Sequence, residues 1–168
     1  MSHQLSNERP LTSGRDGYTW YCYTLMRDES YYDYWARNLV QAEITGYNTY
    51  MAMIKVFESP LERWSGANMQ SYIYHATLIA NQERGHSKIV GSRLNVPVPE
   101  PVDHEKTVSE LDLNERRSLM RLTTIADHSS DENLLALANR LLVDEAYHCW
   151  FTALVLKELG DFDLPRLT

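Results

Sequence analysis

The chain has 168 residues, 43% hydrophobic and 23% charged, which suits one domain with a sizeable buried core. A formal net charge of -7 argues against nucleic acid and anionic membranes as main partners, and no apolar stretch is long enough to suggest a membrane span. Cys22 and Cys149 form neither a CxxC pair nor a disulfide framework, so a reducing compartment, the cytoplasm, is expected.

Residues 1–17 carry Ser, Asn, Arg, Pro and Gly without the apolar core of a secretory signal, and are expected to form a flexible arm ahead of a single domain over 18–168. From Tyr32 the residues Ala36, Leu39, Glu43, Gly46, Tyr50, Met53 and Phe57 recur at spacings of four and three, the period of a helix facing a bundle core. This first predicted helix ends before Ser59-Pro60, because proline disfavours helical geometry in the residue preceding it. Tyr72, Ala76, Ile79, Glu83, His86 and Val90 mark a second helix from about Ser65 to Gly91, and the short connection makes the two antiparallel neighbours.

Asn95-Val-Pro-Val-Pro-Glu-Pro-Val102 is too proline-rich for a helix, and polar residues follow it to Asp112, so the segment reads as a long crossover. A third helix is predicted over Leu113 to Asp127, with Glu115, Leu119, Leu122 and Ala126 on one stripe. After a break at His128-Ser-Ser-Asp131, a fourth carries Leu134, Ala138, Leu141, Glu145, His148, Thr152, Val155 and Leu159 up to Gly160. The expected fold is an all-α four-helix bundle.

Each apolar stripe is interrupted by a glutamate, and the second and fourth also carry a histidine three residues later. A buried, unpaired carboxylate costs several kcal/mol or shifts its pKa until it is neutral, so four in one core call for a shared counter-charge. Two divalent cations supply it, with neutral imidazoles completing the donor set. Antiparallel helices joined by a tight turn place residues equidistant from that turn at one height. The midpoint of Glu43 and Glu83 is residue 63 and that of Glu115 and Glu145 is residue 130, each inside its predicted turn.

Glu83-Arg-Gly-His86 and Glu145-Ala-Tyr-His148, each with a level partner glutamate, resemble the ferritin-like di-iron carboxylate superfamily, and the resemblance covers roughly Tyr31 to Gly160. It implies a ferritin-like four-helix bundle and two iron ions, or manganese. It also implies metal ligands Glu43, Glu83, His86, Glu115, Glu145 and His148, with Glu43 and Glu115 terminal, Glu83 and Glu145 bridging, and one histidine capping each metal. Asp127 competes with Glu115 but sits beside the turn, level with Glu132.

Asp144 and Gln82 occupy positions from which related oxygenases orient the ligand histidine of the opposing helix; for Asp144 the competing reading is a surface pair with Arg140. Tyr47, Tyr50, Tyr74 and Tyr147 lie near the ligand level, where ordinary packing competes with a catalytic role; Tyr50, on the inner stripe, is the first choice. Gly46, beside Glu43, leaves space for O2 or substrate or else serves close helix packing, and Gly85 is a second helical glycine. His75, off the stripe, reads as a hydrogen-bonded or exposed residue and not a third ligand.

The resemblance implies an O2-activating di-iron oxidoreductase of the oxygenase kind, its catalytic centre built from Glu43, Glu83, Glu115, Glu145 and Tyr50. The implied substrate is small, organic and mostly apolar. The chain has no flavin, nicotinamide or iron-sulfur motif, so an external electron donor protein is expected. Iron storage or ferroxidase activity is the alternative. Against it stand Arg84 in place of a haem-ligand methionine and a third helix short for a cage subunit, so a small homo-oligomer such as a dimer is expected. A rubrerythrin-like peroxidase would need the paired CxxC motifs that are missing here.

Overall fold

The computed structural model describes residues 32–100, 104–129 and 132–167, apart from the side chains of residues 32–38 and 128. The expected arm over 1–17, Cys22, the end of the proline-rich segment and Asp131 lie outside them. Among the described residues there are four α-helices: α1 Tyr32–Glu58, α2 Met69–Leu94, α3 Val108–His128 and α4 Glu132–Leu159. Among the described residues there is no strand, only an isolated bridge between Thr107 and Asp163. The described residues are all-α, and α1 packs on α2, α3 on α4, and α2 on α4, consistent with a four-helix bundle. No helix among the described residues is long and apolar enough to cross a membrane.

The boundaries follow local chemistry. α1 stops just before Ser59-Pro60, and a 3-10 turn over Glu62–Trp64 leads toward α2. Trp64 pins this turn to the far end of α4, donating its indole N–H to the Leu159 carbonyl at 3.0 Å and packing edge-on against Phe57 and Phe162. α2 begins four residues after the expected Ser65, where the Asn68 side chain accepts from the Ser71 N–H. It also runs past Gly91 and ends on Asn95, which takes the left-handed conformation at φ 54°. Gly91 serves a close approach instead: a Cβ there would lie 2.6 Å from the Val96 carbonyl oxygen.

The largest correction concerns α3, which starts at Val108 and not Leu113. Thr107 accepts from the Glu110 N–H at 3.2 Å, and the Glu110 carboxylate accepts from the Lys106 N–H at 2.8 Å. Thr107-Val-Ser-Glu110 is a capping-box pattern, a start signal hidden among polar residues that were assigned to the crossover. The helix has 21 residues, so its length no longer argues against a shell-forming assembly. Gly160 closes α4 at φ 79°. The tail beyond it returns to the start of α3, where the Val108 N–H donates to Phe162 and the Leu164 N–H to Lys106.

Two apolar clusters fill the interior. One holds Tyr50, Met53, Phe57, Ile79, Leu111, Phe151 and Val155; the other holds Leu39, Val90, Leu122, Ile125, Leu134 and Leu141. On every helix the inward glutamate falls, in sequence, between the residues of one cluster and those of the other. Full burial of one such side chain contributes roughly 1.5–3 kcal/mol. The clusters can thus offset the desolvation of the ionisable layer between them.

Candidate metal centre

The four helices bring Glu43, Glu83, His86, Glu115, Glu145 and His148 together, none more than 5% exposed. They form two overlapping donor sets, Glu43, Glu83, His86 and Glu145 on one side and Glu83, Glu115, Glu145 and His148 on the other. Within each set the ligand atoms lie within 4.8 Å of one another, so each could hold a metal ion, and Glu83 and Glu145 belong to both. Asp127 is exposed, as is its level partner Glu132, whereas Glu115 points into the cluster.

Hydrogen bonds outside the cluster fix which histidine nitrogen faces inward. His86 Nε2 lies 2.9 Å from Asp144 Oδ2, and a carboxylate only accepts, so Nε2 carries the proton. Gln82 Nε2 donates to Asp144 Oδ1 at 3.0 Å, which turns Gln82 Oε1 toward His148 Nε2 at 3.1 Å, so His148 also donates from Nε2. Both Nδ1 atoms therefore face the carboxylates, 3.1 Å from Glu43 for His86 and 2.7 Å from Glu83 for His148, and each 3.7 Å from Glu145 Oε1. Asp144 thus contacts the histidine of the opposing helix, as expected of it, in place of the competing surface pair with Arg140.

The residues present fit a metal pair. Glu43 Oε1 and Glu145 Oε2 are buried without a hydrogen-bond partner, and Glu83 Oε1 and His148 Nδ1 are buried 2.7 Å apart without the alignment of a hydrogen bond, the condition a cation relieves. The electrostatics say the same. Burial, with the Glu43 carboxylate, raises Glu83 well above the usual carboxylate range, and burial pushes Glu145 up to about 7. Burial pulls both imidazoles down, but the carboxylates win: Glu145 and Glu43 hold His86 up at about 11, and Glu83 and Glu115 raise His148. Without metal, the pocket holds protons where positive charge is wanted.

Tyr50 is fully buried, stands edge-on to His148, and donates to Glu115 Oε1 at 2.7 Å. Burial and the Glu115 charge raise its pKa and keep the phenol protonated. Gly46 has a clear reason: a Cβ there would lie 2.3 Å from Glu83 Oε2, so the glycine makes room for that carboxylate. Nothing crowds Gly85, and the structure gives no reason for glycine there. Of the remaining tyrosines, Tyr47 lies under the Arg84 guanidinium, Tyr74 is exposed, and Tyr147 is hydrogen-bonded to His75, which belongs to neither donor set.

A cavity of about 330 Å³ lies between α1 and α3 and reaches Glu43, Gly46, Glu83 and Glu115. Tyr50 does not line it; Ala42, Leu111 and the carbon stems of longer side chains share the lining with polar groups including Gln41, Thr45, Glu105 and Asn114. Two further features escaped the sequence. Glu105 accepts from Thr49 and from Asn114 at this cavity, and nothing periodic marks it in the crossover. Buried Asp112 accepts from buried Thr152 at 2.8 Å, one turn from Glu115 and from His148; it lies ahead of the helix start expected at Leu113, where no stripe marks it.

Comparison with protein-family models, curated proteins and solved structures finds no match to the chain.

Proposed function

We propose that this chain is a non-haem di-iron oxidoreductase of the O2-activating, oxygenase kind, with a ferritin-like helix order in which a long crossover joins α2 and α3. The observation that carries this reading is the pair of donor sets sharing Glu83 and Glu145, with both histidine Nδ1 atoms turned inward beside a cavity. Glu43, Glu83, His86 and Glu145 would hold one ion and Glu83, Glu115, Glu145 and His148 the other. Oxygen and nitrogen donors of this kind suit iron and also manganese. When bound, such a pair supplies the electron-transfer chemistry toward O2 that the side chains lack.

The chain's own residues do the rest. Tyr50 holds its proton against Glu115 and orients that carboxylate, while the apolar clusters flank the ligand layer along the helices. The cavity falls within the size range of small-molecule sites and opens onto the Glu43 and Glu115 side. Its lining mixes polar groups with a larger share of carbon surface, which suits a small, mostly apolar organic substrate held by a few polar contacts. Electrons come from a separate donor protein in this reading.

A ferroxidase or iron-storage role is the second reading, favoured by the Glu105 carboxylate, which lines the same cavity as Glu43 and Glu115. Anaerobic loading with Fe(II), followed by O2, tests both. About two ferric ions per chain with an oxidised di-iron chromophore and no mineral supports the oxygenase reading. A large oligomer retaining ferric mineral supports storage, and failure to take up iron overturns both.

A further inference from the structure

We propose that the two metal positions are unequal, the Glu43–His86 position binding first and more tightly and the Glu115–His148 position binding second, with Asp144, Gln82 and Tyr50 setting the difference. This rests on the metal pair proposed above. The two donor sets look alike in residue type, one terminal glutamate and one histidine each, so the asymmetry must come from what those groups touch.

Two independent contacts point the same way. The first is at the histidines: His86 donates from Nε2 to a carboxylate, Asp144, whereas His148 donates to the neutral amide oxygen of Gln82. A charged acceptor makes the stronger hydrogen bond and draws the Nε2 proton away, which raises the electron density that Nδ1 offers a metal. An amide oxygen does this less. Gln82 cannot be turned to improve its contact, because its Nε2 is committed to Asp144 Oδ1.

The second contact is at the terminal glutamates. Tyr50 donates to Glu115 Oε1 at 2.7 Å, so that oxygen shares its charge with a phenol proton and donates less to a metal. Glu43 Oε1 is buried with no hydrogen-bond partner, and Glu43 Oε2 lies 3.1 Å from the inward nitrogen of His86, a contact that metal binding replaces. Both Glu43 oxygens are thus available to one ion. The Glu43–His86 position has the better imidazole and the freer carboxylate.

Consequently one ion is retained when the other is lost, and the exchangeable ion is the one beside Tyr50. The test uses metal-free protein labelled with 15N at histidine, titrated with Zn(II) as a diamagnetic probe and followed by long-range proton-nitrogen spectra, with the two rings assigned beforehand. At one equivalent the Nδ1 signal of His86 should move while that of His148 stays, and the second equivalent should move His148. Asp144→Asn should weaken the first step by roughly 10- to 100-fold, the range for losing a partner of a ligand histidine. Tyr50→Phe should tighten the second step and leave the first unchanged. If both histidines respond in parallel, or His148 responds first, the inequality is wrong and the metal pair survives. An unchanged first step in Asp144→Asn also overturns it. If neither ring responds at any ratio, the metal centre itself is wrong.

Discussion

Gly46→Ala puts the site's geometry to the test with a single methyl group. The added Cβ would lie 2.3 Å from Glu83 Oε2 and 2.8 Å from its carboxyl carbon, about 1 Å short of ordinary contact. Elsewhere in a helix this substitution would stabilise by about 1 kcal/mol. Here Glu83 must retract or α1 and α2 must part, and overpacking of this kind costs typically 1–3 kcal/mol. The metal-free variant should therefore lose roughly 0–2 kcal/mol, a shift of a few degrees in Tm for a chain of this size. Metal binding should suffer far more, because metal-ligand distances tolerate only about 0.2 Å and Glu83 belongs to both donor sets. The variant should unfold cooperatively close to the wild-type temperature without metal, yet show little of the wild type's rise in Tm when Mn(II) is added, and hold fewer than two ions per chain. If Gly46→Ala binds two ions with unchanged affinity, Glu83 is not the shared ligand and the geometric argument fails.

Glu115→Ala should at least halve metal stoichiometry measured by elemental analysis, whereas Asp127→Ala, altering an exposed side chain, should leave it intact; the opposite result would move the α3 ligand to Asp127. The stability of metal-free protein should fall as pH rises. Glu145, raised from 4.5 to about 7, and His86, raised from 6.5 to about 11, both favour the protonated folded state. The Glu145 contribution is complete below about pH 4.5 and lost by about 7, and that of His86 is complete below about 6.5 and lost as pH climbs toward 11. Metal must displace those protons, so the gap in Tm between Mn(II)-loaded and metal-free protein should widen from pH 5.5 to 8.5, and a constant gap would contradict the proton assignments. Thr107→Ala removes the cap of α3 and should lower stability by about 1 kcal/mol in urea unfolding, with Ser109→Ala as a control at a neighbouring exposed position.

The helical periods of Leu39, Glu43, Tyr50 and of Ile79, Glu83, His86 were legible because a helix repeats every 3.6 residues, so inward positions announce themselves as a stripe. So was the meeting of Glu43 with Glu83 and of Glu115 with Glu145, since tight antiparallel connections turn sequence distance into height. Thr107-Val-Ser-Glu110 was also readable as a helix start, but it competed with a polar, proline-led segment that the eye assigns to a loop. Only the tertiary structure could say that Gly46 accommodates the Glu83 carboxylate, because the clash is between helices and depends on their separation. The same holds for the chain of contacts His86, Asp144, Gln82 and His148, in which side chains from α2 and α4 fix each other's orientation. The lining of the cavity between α1 and α3 is likewise tertiary, drawn from three helices and a crossover whose sequence has no period. Donor types and their heights along a helix are properties of one chain segment at a time; donor orientation, proton position and the shape of the adjoining space exist only once the segments are packed.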